Sequence, residues 1–246
     1  MNGLLLLAGT AAGIGVVHTL LGPDHYLPFV VLGRARGWSG QRTAWVTLAC
    51  GLAHVGSALA LGFGGIAVGT TVSRLTHVET VRGALTAWLL IAVGLVYAAW
   101  GLRRALRGER HVHVHPQPLA HAHPHQRGTT HRHEHGGHHP EHGGHHHERR
   151  EWRTLTPWVL FAVFVLGPCE PLIPLVMVPA AAGSVAGVAV AATVFAATTL
   201  LAMLAAVAVG RRGVDLLPFG RLERYMHAVA GVVILVSGLG MQLFGW

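Results

Sequence analysis

The chain has 246 residues, of which 52% are hydrophobic and only 11% are charged. A soluble domain carries about 25% charged residues, so this composition excludes an ordinary soluble protein and points to a multi-pass membrane protein. The net charge of +8 does not indicate a nucleic-acid binder, because all 18 basic residues are arginines beside apolar spans, with no polar domain to carry them.

The opening run, "MNGLLLLAGTAAG", has no positive charge ahead of Arg34. A cleavable signal peptide would carry one, so the run is expected to begin the first membrane helix. Apolar segments that can cross a bilayer, about 20 residues each, follow in order. They cover 4–32, 44–69, 84–102, 155–180, 186–209 and 226–245. The expected fold is all-α, with six transmembrane helices, the first and fourth broken at Gly-Pro.

Arginines orient these spans. Arg34, Arg36 and Arg42 follow the first, nine arginines between Arg103 and Arg153 follow the third, and Arg211, Arg212, Arg221 and Arg224 follow the fifth. Only Arg74 and Arg82 fall on the other side. The positive-inside rule then puts both termini outside the cell membrane and the long central loop in the cytoplasm.

Residues 21–31, "LGPDHYLPFVV", resemble residues 166–177, "LGPCEPLIPLVM". Each motif opens a set of three helices, and three is odd, so the second set must be inverted relative to the first. The expected organisation is a first repeat over 1–105, a histidine-rich disordered loop over 106–153, and a second repeat over 154–246. Inverted repeats with broken helices recur in transporters, whose sites lie where the breaks meet.

The first break carries His18, Asp24 and His25. On an intact helix the two histidines would be about 10 Å apart along the axis. Two nitrogens sharing one metal must each lie about 2.1 Å from it. Pro23 has no N–H and follows the flexible Gly22, so unwinding there brings the three residues together. His54 in the second span sits among Gly51, Gly56 and Ser57, which allow close helix approach. In the fourth span Pro168 and Pro171 flank Cys169 and Glu170 and free the carbonyls of Phe164 and Gly167. Imidazole, carboxylate and thiolate together suit nickel, cobalt or zinc better than magnesium or calcium. Thr198 and Thr199 are weaker candidates. Fifteen of the 20 histidines lie between His111 and His147, a stretch suited to collecting late first-row divalent ions.

His18 followed by Asp24-His25 resembles the His-x4-Asp-His signature of the nickel/cobalt transporter superfamily, and "GLAHVGS" is similar to that family's second-helix stretch. The histidine-rich loop resembles that of the six-helix nickel/cobalt efflux and urease-accessory relatives. Here the spacing is five residues instead of four, and "LGPCEP" stands where the family has an acidic motif. The resemblance implies a carrier of divalent transition-metal ions, with His18, Asp24, His25, His54, Cys169 and Glu170 as ligands. Its partners would be the bilayer, the metal ion, and a cytoplasmic metallochaperone or a second copy of the chain. A cytoplasmic histidine collector favours export. The chain carries no nucleotide-binding motif, and neither an organic cofactor nor an enzymatic activity is expected. A second reading comes from "PCEPLIP", which is similar to the Pro-Cys motifs of thiol–disulfide electron carriers of the cytochrome-c-biogenesis type. It would use Cys50 and Cys169, and a dithiol needs their Cα atoms within about 7 Å.

Overall fold

Helix α1 (Asn2–Leu21) stops where Pro23, which has no N–H, can no longer extend the hydrogen-bond ladder. A single 3-10 turn, Pro23–His25, leads into α2 (Leu27–Ala35). There follow α3 (Gly40–Ala67), α4 (Val72–Leu106), a short antiparallel ribbon of β1 (Val112–Val114) and β2 (Ala120–Ala122), and α5 (Glu148–Leu166). The chain then breaks at residues 167–171 and continues as α6 (Leu172–Ala181), α7 (Val185–Leu216), a 3-10 stretch over Gly220–Tyr225, and α8 (Met226–Phe244). The structure is a computed structural model and describes residues 2–107, 112–114, 120–122, 148–216 and 220–244. Most of the histidine-rich loop, with its expected disorder, lies outside the described residues.

Among the described residues the fold is all-helical apart from the ribbon, and five helices are long and apolar enough to cross a membrane: Gly3–Leu21, Gly40–Ala67, Val72–Leu106, Val185–Leu216 and Glu223–Leu243. The fourth expected span is two short apolar helices, Pro157–Leu166 and Leu172–Ala181, neither long enough alone. Both breaks therefore fall at the Gly-Pro pairs. The helices of both broken spans end in the same turn, with Gly37 at φ +61° and Gly183 at φ +70°. Trp38 N–H returns to Gly33 O at 2.8 Å, and Ser184 N–H returns to Pro179 O at 2.9 Å. Only glycine enters that left-handed conformation cheaply.

The boundary furthest from expectation is the start of the third span. The third span was expected over 84–102, with Arg82 in an outer loop, but α4 begins at Val72. Hydropathy missed its first turns because they carry Glu79 and Arg82. Glu79 is fully buried, and the Arg82 side chain is only 16% exposed.

Three helix pairings build the bundle. The α1–α2 segment runs parallel to α7, with Gly15 against Thr198 and Val30 against Gly210. Helix α3 runs parallel to α5–α6, with His54 beside Phe164 and Val55 and Ala58 clustered with Leu172 and Val176. Helices α4 and α8 are antiparallel and touch backbone to backbone. A Cβ on Gly94 would lie 2.4 Å from Leu235 N, and one on Gly231 would lie 2.2 Å from Ala98 N. Helices in lipid gain little from burying apolar surface, so small residues that permit such contact hold them together.

The outer surface is apolar. Leu5, Leu6, Trp45, Trp88, Val96, Leu201 and Val236 are all exposed, as suits a chain whose surroundings are lipid. One group of polar contacts joins the ends of α2, α3 and α7 with the 3-10 stretch leading into α8. Arg34 pairs with Asp215 and Glu223 at 3.6 and 3.4 Å, Arg211 donates to Trp38 O and Thr43 Oγ1, and Arg36 donates to the Tyr97 hydroxyl.

Candidate metal centre

Breaking α1 does what the unbroken helix could not. His18 comes from the last turn of α1, His25 from the 3-10 turn and His54 from the middle of α3. One nitrogen from each lies within 4.8 Å of the other two. Bonds of about 2.1 Å in a tetrahedral shell put ligand nitrogens about 3.4 Å apart, so small ring movements would close the group on one ion. The His18 and His25 rings are 4.7 Å apart between centroids, and those of His25 and His54 are 5.1 Å apart.

Hydrogen bonds fix which nitrogens face inward. His25 Nδ1 lies 3.1 Å from Gly22 O and 3.3 Å from Asp24 Oδ1, so Nδ1 carries the proton. His54 Nδ1 lies 3.4 Å from Phe164 O, one of the carbonyls that Pro168 was expected to free, and carries the proton in the same way. Each ring then turns a bare Nε2 the other way, the arrangement usual for metal-binding histidines. His25 and His54 are 4% and 2% exposed. Both Nε2 atoms, together with Asp24 Oδ1, lack any hydrogen-bond partner. Buried polar atoms are rarely left so, and the two imidazole nitrogens, in a group with His18, could bind a metal.

The other expected ligands fall into three positions. Cys169 is fully buried, with Sγ 3.9 Å from His18 Nε2, which makes it the nearest candidate for a fourth ligand. Asp24 stands behind His25, on the Nδ1 side, where it orients the ring; it is not among the converging atoms. Glu170 is exposed, and its carboxylate accepts from Thr80 at 3.4 Å, outside the group. Thr199 is fully buried with its hydroxyl unpartnered, and Thr198 bonds back to its own helix. A cavity of about 10 Å³, room for one water, borders Asp24, His25, His54 and Thr86.

Both glycines of the breaks sit close against these side chains, Gly22 the more tightly. A Cβ on Gly22 would lie 2.5 Å from His25 Nδ1 and 3.0 Å from Asp24 Oδ1, and one on Gly167 would lie 3.1 Å from His54 Nδ1.

Sequence reasoning missed the ion pair of Glu79 and Arg82, which borders the site from α4. The available signal was a glutamate and an arginine three apart, one helical turn, ahead of an apolar run. Cys50 and Cys169 are both unbonded and lie in different core clusters.

No protein-family profile matches the chain, and neither a curated protein nor a solved structure is measurably similar to it.

Proposed function

We propose that the protein is a membrane carrier of a late first-row divalent metal ion, nickel or cobalt first and zinc next, bound by His18, His25 and His54 with Cys169 completing the shell. The observation that carries this reading is the convergence of three histidines, two of them with buried, unpartnered Nε2 atoms. Buried imidazole and thiol in an apolar surround are poor hosts for magnesium or calcium, which demand oxygen.

Carrier action is supported by how the two halves interlock. The first broken span lies along α7, and the second broken span lies along α3, both in parallel. Each half thus lends its broken helix to the middle helix of the other, while α4 and α8 pack antiparallel between them. Two inverted three-helix repeats would give these pairings, and rocking one against the other would expose the ion to each side in turn. The arginine distribution favours a cytoplasmic histidine tract, and a collector on that side favours export. Protons compete with the ion for imidazole, so transport weakens on acidification.

The test is cellular content of nickel, cobalt, zinc, manganese and copper with and without expression of the chain. Export lowers one of the first three in cells expressing the parent, and His54→Ala restores it. Uptake raises it and reverses the direction argued here. No change in any metal removes the carrier reading and leaves the thiol–disulfide alternative to be tested through Cys50 and Cys169.

A further inference from the structure

Hydrogen bonds at the second break are rerouted through a side-chain ion pair. In an unbroken helix, Cys169 N–H would donate to Val165 O, four residues earlier. Instead Cys169 N–H donates to Glu79 Oε2 at 2.8 Å, and Val165 O accepts from Arg82 Nη2 at 2.8 Å. Glu79 and Arg82 are bonded to each other through Oε1 and Nη1. The pair therefore sits between the donor and the acceptor of one lost helix bond.

Arg82 Nη2 reaches two further groups. One is Gly167 O at 3.2 Å, a carbonyl stranded because Pro171 has no N–H. The other is Ser57 Oγ at 2.9 Å. Ser57 itself donates to His54 O at 2.8 Å. The guanidinium thus binds α5 and α3 at once, and Glu79 holds the amide of the residue whose sulfur faces His18. A carboxylate buried this deep in a membrane helix is costly unless it is paired, and it has no contact with the surface.

We infer that Glu79 and Arg82 are positioning residues of the metal centre, setting the distance of Cys169 from His18 and the depth of His54 beside Gly167. The inference rests on the proposed ion site and adds to it the residues that hold two of its members. Arginine suits this place because its planar fork serves several oxygens at fixed angles, which an ammonium cannot.

The experiment uses the purified full chain and its Glu79→Met/Arg82→Met double variant, titrated with Co²⁺ and followed by absorption. An apolar pair of similar size replaces a buried ion pair without leaving one charge stranded, so the double variant is expected to fold. The parent should show ligand-field bands together with a sulfur-to-cobalt charge-transfer band. In the double variant the charge-transfer band should vanish while ligand-field bands persist, with affinity lower by at least about tenfold. In a Cys50→Ser background without metal, the buried Cys169 thiol should react with N-ethylmaleimide about tenfold faster once the pair is gone. Arg82→Lys should move each readout in the same direction by less, and it carries the test if the double variant does not fold. Unchanged affinity, band and alkylation rate in a folded variant overturn the positioning role alone. Absence of Co²⁺ binding in the parent overturns the ion site and this inference with it.

Discussion

Leu21-Gly22-Pro23 and Leu166-Gly167-Pro168 interrupt two helices with the same three residues, and each proline lacks the N–H that would continue the ladder. The first break repairs itself locally: His25 N–H turns to Gly22 O at 3.0 Å, Tyr26 N–H turns to Pro23 O at 3.3 Å, and the His25 ring donates to Gly22 O as well. What remains unpartnered there is Asp24 Oδ1 and the inward Nε2 of His25. The second break also turns locally, with Leu172 N–H on Cys169 O at 3.1 Å and Ile173 N–H on Glu170 O at 3.2 Å. But it draws further partners from α4 through Glu79 and Arg82, and none of its own described side-chain nitrogens or oxygens is left buried and unpartnered. One break leaves buried polar atoms unpartnered; the other ties its freed backbone groups to a neighbouring helix. Irregular backbone at membrane depth survives only when it is satisfied by protein or lines a cavity, and the two breaks represent the two cases.

The largest expected effect separates ligands from neighbours. His25→Ala and His54→Ala should each lower the initial rate of metal transport by more than about 100-fold, beyond the loss usual for an outer-shell residue. Glu170→Gln, at an exposed carboxylate of the second break, should leave the rate within about twofold, as surface changes do. Equal damage from all three would erase the distinction between the breaks.

Glycine substitutions come next. Gly22→Ala should reduce transport about tenfold or more, because its methyl would sit 2.5 Å from His25 Nδ1 and displace that ring. Gly167→Ala meets His54 Nδ1 at 3.1 Å, a contact that a few tenths of an ångström relieves, and should cost only about threefold. Measuring both rates at saturating metal gives the comparison, and the reverse order would assign the tighter geometry to the second break.

Asp24→Asn should fall between these, about tenfold in half-saturating metal concentration with a smaller change in maximal rate. An amide in its place keeps the contact with His25 Nδ1, at 3.3 Å in the parent, but without the charge that favours a proton on that nitrogen. Loss to background would make Asp24 a ligand after all and would require the first break to rearrange around the ion.

Deleting residues 111–147 should have the smallest effect. Maximal rate should stay within about twofold, while the metal concentration for half-maximal transport rises several-fold, since tethered imidazoles act only by raising local concentration. Abolition of transport by this deletion, with His25→Ala silent, would move the site from the breaks to the loop.

Much of this was legible in the chain itself. Both breaks, the all-helical membrane character and the candidates His18, His25 and His54 follow from local facts: a proline has no N–H wherever it stands, and an apolar run has the length it has. Three things were decided only in the folded chain. Asp24 became an orienting residue, because the turn points its carboxylate at Nδ1 and not at the converging nitrogens. Glu170 turned outward to Thr80, a partner 90 residues away. Arg82, which sequence placed in an outer loop, became the internal partner of Glu79 and of carbonyls 83 and 85 residues distant. A charged residue is placed by where its counter-charge and hydrogen-bond partners lie, and when those come from another helix no local pattern of hydropathy contains them.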